Sequence, residues 1–375
     1  MFSVVNDCLL NEKMSPKTII FFVGKLEVGG AGKMVKYAAG IAKERFDKVI
    51  VVSFYENNKD LGHVASAECI GLSLSTRKKS WRLNAIKKIR KLVAVNSPCM
   101  CCAFVSDVAV MVRLATLFMP QIFFISAERG DPYTLPKSWK RLVTWTYRHS
   151  DYCLFQLEKA RDFFGQSIRS KSFVIPNPYI GKPPIPYYGE RKKTIVTATR
   201  FEKEKGVAIL IDAFSKIHDQ HPEYRLVIYG DGSLKNEFVE RVKTLGISGY
   251  VNFPGYIQNV AERVKGDGIF VLPSLYEGIP NTLIEVLAVG VPTISSDCSP
   301  GGPRFLTRNG ERGLLFPVGD EDSLVQNINL LINDEHKAEM LSKKGPSIVE
   351  DLYEGKIRQM WMSFFTKALD NFSVN

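Results

Sequence analysis

"GIFVLPSLYEGIPNTLIEVLAVGVPTISSD", residues 268–297, is an apolar run, a loop with Gly and Pro, a helical stretch and a second apolar run in close succession. The runs "GIFVLPS" (268–274) and "PTISS" (292–296) have strand length, and a helix between two strands returns the chain to make them parallel. Glu277 falls in the loop leaving the first strand, and Glu285, eight residues later, falls inside the helix. Between them Gly278 lets the backbone approach a ligand, and Pro280 suits a helix start. Asn281 and Thr282 then open a first turn whose N–H groups have no partner within the helix. Such a turn favours an anion through its dipole and its backbone donors, whereas the two carboxylates accept hydrogen bonds from hydroxyls. A ligand with both phosphate and hydroxyls, a nucleotide-sugar, meets both demands.

The same alternation extends in both directions. Downstream of residue 193, "TIVTATR" (194–200), "RLVIYG" (225–230) and "VNFPG" (251–255) read as further strands, separated by helical patterns such as "GVAILIDAFSKIHDQ". In the first half "TIIFFVG" (18–24), "KVIVVSFY" (48–55), "CCAFVS" and "QIFFISAE" alternate with helical stretches. Alternating βα units predict an α/β fold with parallel, doubly wound sheets. With 375 residues and 45% apolar content the chain has room for two such domains. The Pro-rich stretch that ends in "GERKK" marks the break. The expected division is a first Rossmann-like domain at 1–180, a linker at 181–193, a second Rossmann-like domain at 194–355, and a C-terminal helix at 356–375 crossing back to the first domain. Two such domains around a linker are expected to face each other across a cleft, with ligands at the carboxyl ends of the strands.

Glu277 and Glu285 within "EGIPNTLIEVLAVGVP", with "RFEKEKG" (200–206) and "YGDG" (229–232), resemble the retaining glycosyltransferases of family 4, which have the GT-B fold. The resemblance covers nearly the whole chain and is strongest in the second half. It implies that Arg200 and Lys205 hold the donor diphosphate, where cations offset the charge that grows on the leaving group. It assigns Glu285 to the donor ribose and Glu277 to the transferred sugar or its phosphate. The backbone of Gly278, Ile279, Pro280, Asn281, Thr282 and Leu283 is expected against the sugar and distal phosphate, and Tyr256 and Ile257 beside the base. "VIPNP" (174–178) resembles the element before the linker, although a simple turn accounts for it as well. "DCSPGGPR" (297–304) resembles an element near the donor.

In "ISAERGDPYTLPKSW" (125–139) many relatives carry a His near the reacting sugar, and this sequence has Glu128 and Arg129 instead. It is similar there to a variant found in hexosyl and N-acetylhexosaminyl transferases of surface polysaccharides. Glu128 and Arg129 are therefore candidates for contact with sugar or acceptor, and Asp131 equally suits a helix cap.

The expected activity is a retaining, metal-independent transfer of a hexosyl or N-acetylhexosaminyl group from a UDP-sugar to a hydroxyl of a glycan acceptor, polyprenyl-linked, in surface polysaccharide synthesis. No cofactor is expected, and no Asp-x-Asp motif is present to hold a divalent ion. GDP-mannose is the alternative donor, and a sugar-nucleotide epimerase on the same fold is a rival. A nucleotide-driven ATPase or kinase, and a sugar-nucleotide binding module without catalysis, are the more distant ones.

The net charge of +11 lies wholly in the first half, where residues 1–190 carry 28 Lys and Arg against 15 Asp and Glu. "RKKSWRLNAIKKIRK" (77–91) packs eight basic residues around Trp81, with Leu83, Ile86 and Ile89 at helical spacing. A basic amphipathic helix with one Trp suits an anionic membrane surface, and a solvated helix face accounts for it equally. Nucleic acid is not expected, for want of an accompanying recognition module. No uncharged run approaches the roughly 18 residues of a membrane span. The first 17 residues do not read as a secretion signal, and Met14 is an alternative start. Seven Cys, an odd number without scaffold spacing, point to a reducing cytosol, and "CMCC" (99–102) reads as a buried strand. The expected location is the cytoplasm, on the inner face of the membrane.

"EVGGAGKM" (27–34) imitates a nucleotide phosphate loop, but Glu27 and Met34 stand where such a loop needs a Gly and a hydroxyl. By the resemblance it is instead the glycine turn of the first domain, with Gly29 and Gly30 closing on the donor diphosphate and Lys33 a charge near the helix start.

Overall fold

The computed structural model describes residues 18–27, 29–64, 67–75 and 80–372. They form two compact units, one made of the chain up to Ile175 together with the chain from Gly355 on, the other of Pro176–Glu354. The alternative start at Met14 and the basic residues Arg77, Lys78 and Lys79 lie outside the described residues.

The first unit is built on seven strands: β1 (Thr18–Val23), β2 (Lys48–Ser53), β3 (Glu68–Gly71), β4 (Cys99–Phe104), β5 (Ile122–Ala127), β6 (Tyr152–Phe155) and β7 (Ser172–Val174). They pair parallel throughout in the order β3-β2-β1-β4-β5-β6-β7. Both faces of the sheet are covered, so its central strands are continuously apolar; all six residues of β4, three of its cysteines included, are buried. The C-terminal helix Glu354–Phe372 completes this core. Ile357, Trp361, Phe364, Phe365 and Ala368, spaced to share one side of the helix, face inward from it. The Trp361 ring stacks on Phe104 with centroids 6.4 Å apart, and Phe365 meets Phe21 and Phe46 edge-on.

Helices Trp81–Ala94, Ser106–Thr116 and Lys137–Arg148 pack side by side. Together they carry ten basic residues and one acidic residue, Asp107. The first of them is seated by Ala85, Ile89 and Val93, four residues apart. Leu83, expected on the same stripe as Ile89, is instead 65% exposed, because the buried residues follow the four-residue spacing. Arg90 donates to the carbonyls of Ala115 and Leu117, which brings the helix beside Phe118, itself 93% exposed.

The second unit holds β8 (Thr194–Ala198), β9 (Arg225–Tyr229), β10 (Val251–Gly255), β11 (Ile269–Leu272), β12 (Thr293–Ser296) and β13 (Leu314–Phe316), parallel in the order β10-β9-β8-β11-β12-β13. The strand order reverses between β8 and β11, and in open parallel sheets such a switch point, at the carboxyl ends of the strands, is where ligands bind. Residues 181–193, read from the sequence as a linker, are fastened to this unit. The Arg191 guanidinium donates to the carbonyls of Tyr187, Lys265, Asp267 and Gly290 and to the Ser342 hydroxyl. Five acceptors gathered around its two terminal nitrogens hold this stretch against the unit, so it packs rather than swings.

Candidate active site

The loops after β8 and β11 are stitched together at the point of strand reversal. Leu275 N–H donates to the Glu204 carbonyl at 2.8 Å. Gly206 adopts φ +63°, and a Cβ there would lie 2.0 Å from the Pro273 carbonyl oxygen, so only glycine allows the loops this close. That approach brings Lys205 Nζ to 2.6 Å from Glu277 Oε1, which also accepts from the buried Ser274 hydroxyl at 2.8 Å. Both charged side chains are about one-seventh exposed, at 15% and 13%. Arg200, at the start of the same loop, is 59% exposed and pairs with Glu204 at 3.0 Å. Two cations and two carboxylates thus sit where these loops meet.

Helix Asn281–Ala288 starts beside them, with Pro280 at its cap. Its first turn contains no acidic residue, so nothing in it opposes an anion. The backbone that leads into it is shaped from below by the loop after β12. Glu277 N–H donates to the Ser299 carbonyl at 3.0 Å, and a Cβ on Gly302 would lie 1.6 Å from the Gly278 carbonyl oxygen. Asn177, buried in the stretch that enters this unit, donates from Nδ2 to the Ile279 carbonyl at 3.3 Å and to Asn281 Oδ1 at 2.8 Å. Glu285 lies further along the helix and is close enough to Tyr179 to help raise that phenol, an effect led by burial.

On the other side, the "YGDG" turn packs against the Arg200 loop. A Cβ on Gly230 would stand 1.8 Å from the Thr199 carbonyl oxygen, and Phe201 N–H donates to Asp231 O. Glu202 accepts from both the hydroxyl and the N–H of Ser233, which hold its carboxyl below the usual range. Tyr256 and Ile257 follow β10, joined to this turn through Gly230 N–H and the Gly255 carbonyl; Tyr256 is 75% exposed.

The remaining candidates lie in the first unit. Gly29, at φ +90°, caps the helix Gly30–Ala42, of which Gly30 is the first residue, and Lys33 is exposed one turn on. The close approach is at Gly32, where a Cβ would meet the Leu26 carbonyl oxygen at 2.2 Å. Glu56 shapes this loop by accepting from Leu26 N–H and Glu27 N–H.

Glu128 and Arg129 are both buried. Glu128 accepts from the Arg129 and Gly130 N–H groups and from the Tyr147 hydroxyl. The Arg129 guanidinium donates to the Ile175 carbonyl and lies 5.1 Å above Phe104 and 5.6 Å from Trp361. Burial pushes it down to about 10. Contact of either side chain with a sugar would require these internal contacts to open. Asp131 caps the short turn Pro132–Thr134 by accepting from Tyr133 N–H.

Burial raises the Glu128 carboxyl, although the Gly130, Ser106 and Tyr147 hydrogen bonds oppose the shift. Between the ordinary carboxylate range and the raised value the folded chain binds one proton more than the unfolded chain. The resulting stability is complete at low pH and is lost as pH rises through the raised value. Glu128→Gln cannot ionise and keeps an acceptor for the two N–H groups, so it should flatten the dependence of denaturant stability on pH above the ordinary carboxylate range. An unaltered slope would assign that dependence to other groups.

Residues 186–347 match the family described as Glycosyl transferases group 1. Over 358 residues, 93% of this chain, it is 25% identical to GalNAc-alpha-(1->4)-GalNAc-alpha-(1->3)-diNAcBac-PP-undecaprenol alpha-1,4-N-acetyl-D-galactosaminyltransferase of Campylobacter jejuni, covering 98% of that protein. Over 205 residues it is 30% identical to the lipopolysaccharide 1,6-galactosyltransferase of Salmonella typhimurium, a match that covers 54% of this chain and 51% of that one. Among solved structures, sucrose-phosphate synthase from Thermosynechococcus elongatus is similar over 96% of this chain and all of that one, with TM-score 0.79 and 17% identity.

Proposed function

We propose that this chain, a glycosyltransferase by the group 1 domain at residues 186–347 and by its GT-B fold, moves a hexosyl or N-acetylhexosaminyl group from a UDP-sugar to a hydroxyl of a lipid-linked glycan. The observation that carries this reading is the contact of Lys205 with Glu277 beside the start of helix Asn281–Ala288. Cations and helix N–H groups attract a diphosphate, and a carboxylate in reach of them accepts from sugar hydroxyls. Arg200 and Lys205 take up the charge of the departing diphosphate, and the acceptor hydroxyl attacks the oxocarbenium-like sugar from the face the diphosphate leaves. Transfer proceeds with retention and without a metal ion. Glu285 accepts from the ribose in this reading. The lipid-linked acceptor is favoured by the Campylobacter relative, whose name specifies a diphospho-undecaprenol glycan.

The enzyme works at the cytoplasmic face of an anionic membrane, seated by the basic helices Trp81–Ala94 and Lys137–Arg148 with Leu83 and Phe118 between the cations and the lipid. The charge of those helices supports this reading. No helix among the described residues is long and apolar enough to cross a membrane. Flotation with vesicles containing phosphatidylserine but not with neutral ones is the expected result; equal failure on both excludes it.

The deciding experiment is a thermal-shift panel of UDP- and GDP-sugars in chelator, then transfer with the best donor and assignment of the product anomer by NMR. A donor at 100 times its Kd should add about 2.7 kcal/mol of stability. Preference for a GDP-sugar, an inverted anomer, activity lost in chelator, or an epimerised sugar formed without acceptor would each overturn the corresponding part.

A further inference from the structure

Asn177 is separated by about a hundred residues of sequence from the two groups it bonds, and the chemistry of those groups leaves no freedom in how its amide is turned. The Ile279 carbonyl can only accept. The end of Asn177 that faces it must therefore be the NH2 group. The same NH2 group reaches the Asn281 side chain, and a donor there requires the carbonyl end, Oδ1, of Asn281. With Oδ1 taken, what Asn281 has left is its own NH2, a pair of donors, on the first residue of helix Asn281–Ala288. The buried backbone carbonyl of Ile279 thus dictates, through Asn177, the sign of the group that Asn281 presents.

We infer that Asn177 is a positioning residue for donor binding: it locks Asn281 as a hydrogen-bond donor to the distal phosphate of a nucleoside diphosphate, and it holds the backbone of Gly278–Asn281 in shape through the Ile279 carbonyl. The inference rests on the donor-site reading above and adds a residue outside the loops that touch the ligand. Unlocked, Asn281 can rotate its carbonyl toward the phosphate, where two acceptors repel. Asn177 itself touches no ligand.

Two variants of the full chain test this, with UDP and UMP as calorimetric probes, because UMP lacks the distal phosphate. Asn177→Asp removes the donor that turns Asn281. Asn281→Asp keeps the acceptor for Asn177 but replaces the outward NH2 by an oxygen, at a partly exposed position where an acidic residue suits the helix start. Both should weaken UDP binding by about 10- to 100-fold, the worth of a hydrogen bond to a charged group, and leave UMP binding within about twofold. Should Asn177→Asp fail to fold, Asn177→Ala, which removes the same donor without adding a charge, takes its place with the same expected result. Parallel loss of UDP and UMP binding would mean a general structural role and overturn the inference, as would unchanged UDP binding. Wild-type protein that binds neither UDP nor UMP would overturn the donor-site reading, and the inference with it.

Discussion

Lys205→Ala is expected to lower kcat/KM for sugar transfer by about 10²- to 10³-fold, the usual cost of removing one preorganised group that meets charge developing in a transition state. The ammonium is 2.6 Å from Glu277 and only 15% exposed, so water screens it weakly and its field acts on whatever anion binds beside it. Because the leaving diphosphate gains negative charge as the glycosidic bond breaks, the loss should fall mainly on kcat. The fold should survive, since Ser274 still donates to Glu277 and the Leu275 to Glu204 backbone bond still joins the loops. Lys205→Arg should restore little, because a planar guanidinium does not fit the space of a compact ammonium. Steady-state kinetics beside a denaturation curve checks this, and transfer at wild-type rate by Lys205→Ala would remove the lysine from the mechanism.

Gly302→Ala is expected to be the most damaging single methyl group near the site. Its Cβ would lie 1.6 Å from the Gly278 carbonyl oxygen and 3.2 Å from Cδ of the rigid Pro280 ring, both in the segment that leads into helix Asn281–Ala288. No flexible side chain can move aside, so the Gly278–Pro280 segment itself must shift. Overpacking of this kind costs about 1–3 kcal/mol, and more where backbone gives way. A shift of even about 1 Å in a group that positions substrate can cost about 100-fold in rate, so activity should fall further than stability. Denaturant unfolding, with donor affinity measured on the fraction that folds, separates the two losses. A folded variant with normal donor affinity would show that the segment is not part of the donor site.

Much of the fold was legible in the sequence because central strands buried on both faces are long apolar runs. β1, β2, β4, β5, β8, β9, β10, β11 and β12 all overlap runs read from residues 18–24, 48–55, 101–106, 121–128, 194–200, 225–230, 251–255, 268–274 and 292–296. β3, β6, β7 and β13 escaped. They are three or four residues long, and only β6 among them is buried throughout. A run of that length carries too little periodicity to be told from a loop.

The pairing of a loop acid with a helix acid eight residues later, and the cations of "RFEKEKG", depended on local spacing, and local spacing is written in the sequence. What no spacing records is which distant groups meet. Lys205 and Glu277 are 72 residues apart, Gly302 sets the backbone at Gly278, and Asn177 turns Asn281 from 104 residues away. Glu128 and Arg129, read from the sequence as candidates for the sugar, are enclosed by Tyr147, Phe104 and the C-terminal Trp361. The class of fold and the expectation of a nucleotide-sugar ligand followed from periodicity and from the charge of side chains, which are properties of neighbours along the chain. The state and reach of each candidate group followed from burial and from partners supplied by other strands, which exist only once the parallel sheets have brought their loops to one edge.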